Sequence, residues 1–154
     1  MGMLVKRFGT RIEEVSYTVR VGVYALIFDE TRENLMIVSP PNGAYLLPGG
    51  EIETGETKEE TLHREVMEEL GFTVSIGTYL GEAEDFYYST FRKKHYHNPG
   101  YFYVVESYQK VSEPLEDFNK LYWLPIKEAH RLLKRGSHKW AIETYLAQHG
   151  LSIH

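Results

Sequence analysis

A chain of 154 residues, 42% apolar and 25% charged, is long enough to bury one core and too apolar to stay disordered. It contains no cysteine, which excludes a disulfide scaffold, a cysteine-based zinc site and a thiol nucleophile. Its net charge of −5, from 22 acidic and 17 basic residues, runs against the basic surface of a nucleic-acid binder, so any anionic phosphate it handles needs local compensation by metal ions or a basic patch.

Met1 to Val15 holds no uninterrupted apolar stretch of the secretory kind, and Lys6 stands where a myristoylation signal after Met-Gly requires Ser or Thr. No segment approaches the roughly 20 apolar residues of a membrane span. The expectation is a soluble, cytoplasmic protein with one domain over residues 1–154.

In chain order, Val15 to Phe28 is rich in Val and Tyr and predicts strand, ending at the charged turn Asp29 to Asn34. Leu35 to Val38 predicts a second strand, stopped by Ser39-Pro40-Pro41-Asn42-Gly43. Ala44 to Leu47 predicts a short third strand running into Pro48-Gly49-Gly50. A helix begins near Thr57, where Thr57 and Glu60 form a capping-box pattern. Leu62, Val66 and Leu70 recur with helical period, and Gly71 falls at the position of a C-terminal glycine cap. Strands follow at Phe72 to Gly81 and, after a break at Asn98-Pro99-Gly100, at Tyr101 to Tyr108. Leu121 to Leu124 predicts a short strand closed by Pro125. Ile126 to Arg135 predicts a helix stopped by Gly136, and Ser137 to Gln148 a final helix. A mixed sheet flanked by helices is the natural packing of these elements.

The chemistry is concentrated in Gly50 to Phe72. With about 100° of rotation per residue, Glu65, Glu68 and Glu69 share one stripe of the helix, within roughly one turn. Leu62, Val66 and Leu70 occupy the neighbouring stripe, so burying them fixes where the acidic stripe points. Clustered anions repel one another, and divalent cations that prefer oxygen ligands make sense of the arrangement. Arg64, four residues before Glu68, is placed to pair with a carboxylate, and Glu56 at the helix entrance to join the cluster or brace the loop. Gly49 and Gly50 give the preceding backbone freedom to turn a carbonyl toward an ion.

The pattern Gly50-x5-Glu56-x7-Arg64-Glu65-Val66-x-Glu68-Glu69-x-Gly71-Phe72 resembles the complete Nudix box, matching all seven fixed identities. The resemblance implies an α/β/α sandwich with a mixed sheet, and metal-dependent hydrolysis of a diphosphate linkage in a nucleotide-like substrate. It implies that Glu65, Glu68 and Glu69 hold divalent metal, Mg²⁺ or Mn²⁺, with the Gly50 carbonyl. It further implies that Arg64 orients the carboxylates, while Glu56 supports them or adds a ligand. The base that takes the water proton is then Glu65 or a glutamate outside the box. Glu116 is the choice there, with Asp117 and Glu113 as alternatives.

Outside the box, Arg20 and Tyr24 alternate on an early strand and could meet phosphate and base, or only stabilise the strand. Tyr87 and Tyr88 lie some sixteen positions past the box, where relatives that take dinucleoside polyphosphates tend to carry Tyr; Tyr88 is taken as a substrate-binding candidate. Arg92-Lys93-Lys94-His95-Tyr96-His97 reads as a solvated hairpin loop, or else as a cover for a polyphosphate. Many relatives carry an arginine just before the box, where this chain has Ser39-Pro40-Pro41-Asn42. The expected substrate is a nucleoside triphosphate or dinucleoside polyphosphate, the alternative being a nucleotide sensor on the same fold. No nucleic-acid or membrane partner is expected, and a homodimer is possible.

Overall fold

The computed structural model describes residues 5–153, so the Met-Gly start lies outside it. The strands are β1 (Lys6–Phe8), β2 (Thr18–Val19), β3 (Gly22–Leu26), β4 (Asn34–Ser39), β5 (Gly49–Glu51), β6 (Phe72–Ser89), β7 (Lys94–Lys110) and β8 (Lys120–Pro125). The helices are α1 (Lys58–Leu70), α2 (Ile126–Leu132) and α3 (Gly136–Gln148). The main sheet runs β1-β6-β7-β3-β5, with β2 also on β7, and β4 pairs with β8 in a separate ribbon. The main sheet is mixed: β3 runs parallel to β7, whereas β6 and β7 form an antiparallel hairpin.

Alternation along β3 explains the layers. Val23, Ala25 and Ile27 face one way and pack with Leu62, Val66 and Leu70 of α1. Leu26 and Phe28 face the other way and pack with Ala141, Ile142 and Leu146 of α3 and Ala129 of α2. Strand β4 repeats the division, with Met36 and Val38 toward α1 and Leu35 and Ile37 toward the other helices. Helices therefore cover both faces, as expected of an α/β/α sandwich. Among the described residues, no helix is long and apolar enough to cross a membrane.

Several boundaries differ from the sequence reading. Val15 to Phe28 is not one strand but β2 and β3: both pair with β7 in one continuous register, and the pairing lapses only at Arg20 and Val21. Ala44 to Leu47 contributes only a bridge from Leu46 to Val38, and the strand lies later, at Gly49–Glu51. Asn98-Pro99-Gly100 is not a break. Pro99 pairs with Glu84 on one side, and on the other it falls between the β2 and β3 pairings, where its missing N–H leaves no ladder bond unmade. Strand β6 accordingly continues past Gly81 to Ser89 opposite the whole of β7. Helix α2 ends at Leu132, and Gly136 opens α3 rather than stopping α2, its bare Cα lying against the Phe8 ring.

Candidate active site

Helix α1 carries the site, and its ends are fixed locally. The Thr57 hydroxyl accepts the Glu60 N–H at 3.1 Å while the Glu60 carboxylate accepts the Thr57 N–H at 2.9 Å, a complete capping box. Gly71 closes the other end with φ 72°, a left-handed conformation that glycine adopts without strain. Between these caps, burial of Leu62, Val66 and Leu70 against β3 turns the glutamates toward β5.

Glu69 is partly buried and accepts the Gly49 N–H at 2.9 Å. Burial pushes its carboxyl well above the usual carboxylate range, and the charges of Glu65, Glu116 and Glu68 add to the push. Glu65 lies beside it, and burial raises it to about 7, against the pull of Arg64. Gly50 crosses directly over this carboxylate: a Cβ there would stand 2.4 Å from the Glu65 Cδ and 2.6 Å from each oxygen. Only a residue without a side chain allows β5 to pass so close.

Arg64 is the hub. Its Nε donates to Glu56 Oε2 at 2.6 Å and an Nη to Glu56 Oε1 at 2.9 Å, a bidentate pair. The same guanidinium donates to Glu65 at 2.9 Å, Glu68 at 3.4 Å and the Glu51 carbonyl at 3.1 Å. Hydrogen bonds from Arg64, then from the Glu53 N–H, hold Glu56 down at about 2, and Glu56 in turn raises Arg64. Arg64 thereby ties the loop before α1 to two of the clustered carboxylates.

The loop after β7 closes the same region. The Glu116 N–H donates to the Glu68 carbonyl at 2.9 Å, and the Glu116 charge is felt by both Glu65 and Glu69. Glu113 instead pairs with Lys110 at 3.3 Å on the surface. The structure thus gathers Gly50, Glu56, Arg64, Glu65, Glu68, Glu69 and Glu116 around one face of α1.

The donor set suits a hard divalent cation: every donor is oxygen, and two partly buried carboxylates lack a full counter-charge. Among the described residues, no three carboxylate or imidazole groups are gathered closely enough to enclose an ion by themselves. An ion bound by one or two carboxylates that also draws on substrate and water fits this arrangement.

A cavity of about 260 Å³ opens beside Gly49 and Gly50. Arg20 and Tyr24 both line it, as their alternation suggested. Tyr88 does not: it is half exposed, edge-on to His95 at 4.8 Å, and its neighbour Tyr87 lines the cavity instead. The Arg135 guanidinium stacks 3.6 Å from the centre of the Tyr87 ring, and Tyr87 stacks with Tyr96 at 5.6 Å. From the basic run, Arg92 reaches the cavity wall, whereas His97 is held by Glu84 at 2.9 Å and stacked on Phe86. Asn98, Arg135 and His138 also line the cavity and were not singled out from sequence. No local pattern marks them, since each reaches the cavity through long-range packing.

Comparison with known proteins agrees with this architecture. The family model described as NUDIX domain matches residues 18–145. A Bacillus subtilis (strain 168) protein, named provisionally as an 8-oxo-dGTP diphosphatase, is 28% identical over 60 residues. That match covers 39% of this chain and spans 40% of the length of the relative. Among solved structures, a NUDIX hydrolase from Nitrosomonas europaea superposes with a TM-score of 0.64 at 22% identity, covering 85% of this chain and 90% of that one. The E. coli dihydroneopterin triphosphate pyrophosphohydrolase gives 0.64 at 18% identity, covering 86% and 98%. Likeness at these identities speaks for the fold. With the family model spanning most of its length and the acidic box folded onto α1, the chain belongs to the NUDIX family.

Proposed function

We propose that this chain is a pyrophosphohydrolase that cleaves a diphosphate linkage in a small nucleotide, with nucleoside triphosphates and dinucleoside polyphosphates as the favoured substrates. The observation that carries the reading is the pair of partly buried carboxylates, Glu65 and Glu69, held with Glu68 and Glu116 beside a cavity walled by guanidinium and aromatic groups. The names of two relatives, an 8-oxo-dGTP diphosphatase and a dihydroneopterin triphosphate pyrophosphohydrolase, both describe triphosphate substrates, which supports the nucleoside triphosphate class.

Glu65, Glu68, Glu69 and the Gly50 carbonyl would hold Mg²⁺ or Mn²⁺. When bound, such an ion neutralises charge developing on the diphosphate oxygens and lowers the pKa of the attacking water. The chain's own groups do the rest. Arg64 fixes the rotamers of Glu65 and Glu68, and Glu56 fixes Arg64. Glu65 or Glu116 receives the proton of the attacking water. Arg20, Arg92 and Arg135 supply the positive charge that an acidic chain otherwise lacks, in place of an arginine in the segment before the box. Tyr24, Tyr87 and Tyr96 offer flat apolar walls to a base.

The test is a turnover panel with Mg²⁺ or Mn²⁺: ATP, GTP, CTP, UTP and their deoxy forms, ADP-ribose and diadenosine tetraphosphate, reading phosphate and pyrophosphate release. Turnover of triphosphates or the dinucleotide, abolished by chelation, is the expected result. Tight nucleotide binding without turnover of any of them would replace the hydrolase with a sensor.

A further inference from the structure

The first turn of α3 is fixed by a buried carboxylate on β6. Asp85 accepts the Ser137 N–H at 3.3 Å and is also bonded to the Ser137 hydroxyl. This anchor sets the next residue, His138, into the wall of the cavity, with its ring fully buried.

The two nitrogens of that imidazole differ. Nδ1 accepts the Leu47 N–H at 3.1 Å, so the ring proton resides on Nε2. Burial, with the Arg135 charge adding to it, holds the imidazole down to about 3, which keeps it neutral with one donor and one acceptor. Nε2 meets no acceptor of the protein, the one such buried side-chain polar atom among the described residues. The nearest rings, Tyr24 at 4.5 Å and Phe102 at 5.5 Å, offer only π faces. A buried donor left without a partner is costly and rare enough in native proteins to need a reason.

We propose that His138 is a specificity-determining residue, donating its Nε2–H to an acceptor atom on the nucleobase of the bound substrate. This rests on the nucleotide reading above and names what selects within it. The cavity supplies the flat walls of Tyr24, Tyr87 and Tyr96 and the guanidiniums of Arg20 and Arg135, but this one dry neutral donor suits a carbonyl oxygen or bare ring nitrogen better than a phosphate. Tyr24 shields the ring in the free protein, and its hydroxyl meets Asn98 at only 3.4 Å, so it is the side chain that yields as the base enters. Because water is kept from Nε2, a base without the acceptor leaves the donor unpaired and is discriminated against.

The experiment takes the best substrate of the turnover panel and removes each acceptor on its base in turn, carbonyl to hydrogen and ring nitrogen to C–H. One deletion is expected to lower kcat/KM by about tenfold or more in the parent protein. The same deletion should cost His138→Leu less than about threefold. His138→Gln, which keeps both an acceptor for Leu47 and a donor, should retain the discrimination. If no deletion matters in the parent, or it matters equally in His138→Leu, the proposal is overturned while the hydrolase reading stands. A variant-free measurement guards against misfolding of His138→Leu and against a parent that turns nothing over. In ¹⁵N-histidine-labelled parent protein, the Nε2–H resonance should move downfield on adding one of the α,β-methylene analogues of ATP, GTP, CTP or UTP. A resonance unmoved by all of them also overturns the proposal.

Discussion

The close passage of β5 over Glu65 makes Gly50→Ala a sharp test of the site. The added methyl would lie 2.4 Å from the Glu65 Cδ and 2.6 Å from both its oxygens, whereas ordinary contact begins near 3.4 Å, so the carboxylate must retreat by roughly 1 Å. It has little room to do so, being mostly buried and held by Arg64 at 2.9 Å. Overpacking of this kind costs about 1–3 kcal/mol, or roughly 3–10 °C in Tm for a chain of this size. A misplacement approaching 1 Å at the reacting centre lowers kcat by about 100-fold. The assay is steady-state turnover with Mg²⁺ beside a thermal melt. Gly150→Ala is the control for kcat but not for the melt: its methyl would meet nothing within 4 Å and it lies far from the site in the chain, while its φ of 69° strains an alanine. A Gly50→Ala protein with kcat within about threefold of the parent would refute the argument that Glu65 must keep its position under β5.

Other expectations follow from the same geometry. Glu68→Gln should reduce turnover by orders of magnitude and leave the far-ultraviolet circular dichroism unchanged; retained activity would remove α1 from the chemistry. Arg64→Lys cannot reproduce the bidentate grip on Glu56 together with the reach to Glu65 and Glu68, so kcat should fall by at least about tenfold despite the kept charge, and parental kinetics would show that charge alone suffices. Thr57→Ala removes the capping box and should lower stability by about 1 kcal/mol in urea titration with kcat unchanged. His138 titrates near 6.5 when unfolded and near 3 when folded, so the unfolded chain takes up the proton first on acidification. Its contribution to stability is therefore complete above pH 6.5 and is lost as pH falls toward 3. His138→Gln should lose stability less steeply across that window, and parallel slopes would count against a buried neutral imidazole.

Helix α1 was legible in the sequence because its determinants are local: the Thr57–Glu60 cap, the period of Leu62, Val66 and Leu70, and the stop at Gly71 all lie within fifteen residues. The carboxylate stripe follows from the same period. The continuity of β7 through Pro99 was not legible, because it depends on a gap between two other strands that only the assembled sheet reveals. Gly136 misled for a related reason: its smallness serves Phe8, more than a hundred residues earlier in the chain, rather than the end of a helix. His138 reaches Leu47 across 91 positions, and nothing in its neighbourhood distinguishes it from any other helical histidine. Chemistry written along one helix could be read, and so could Arg20 and Tyr24 near β3; the remaining walls of the pocket, from β6, β7 and the start of α3, could not.

The anchoring of α3 by Asp85 and its bond to Leu47 bear on the order in which a nascent chain becomes competent. The acidic box leaves the ribosome well before Arg135 and His138, so the carboxylate face of α1 can take shape while one wall of the cavity is still untranslated. On the proposed reading recognition is the last property acquired during synthesis, and a chain stalled before α3 would carry the carboxylates without the means to choose what they act on.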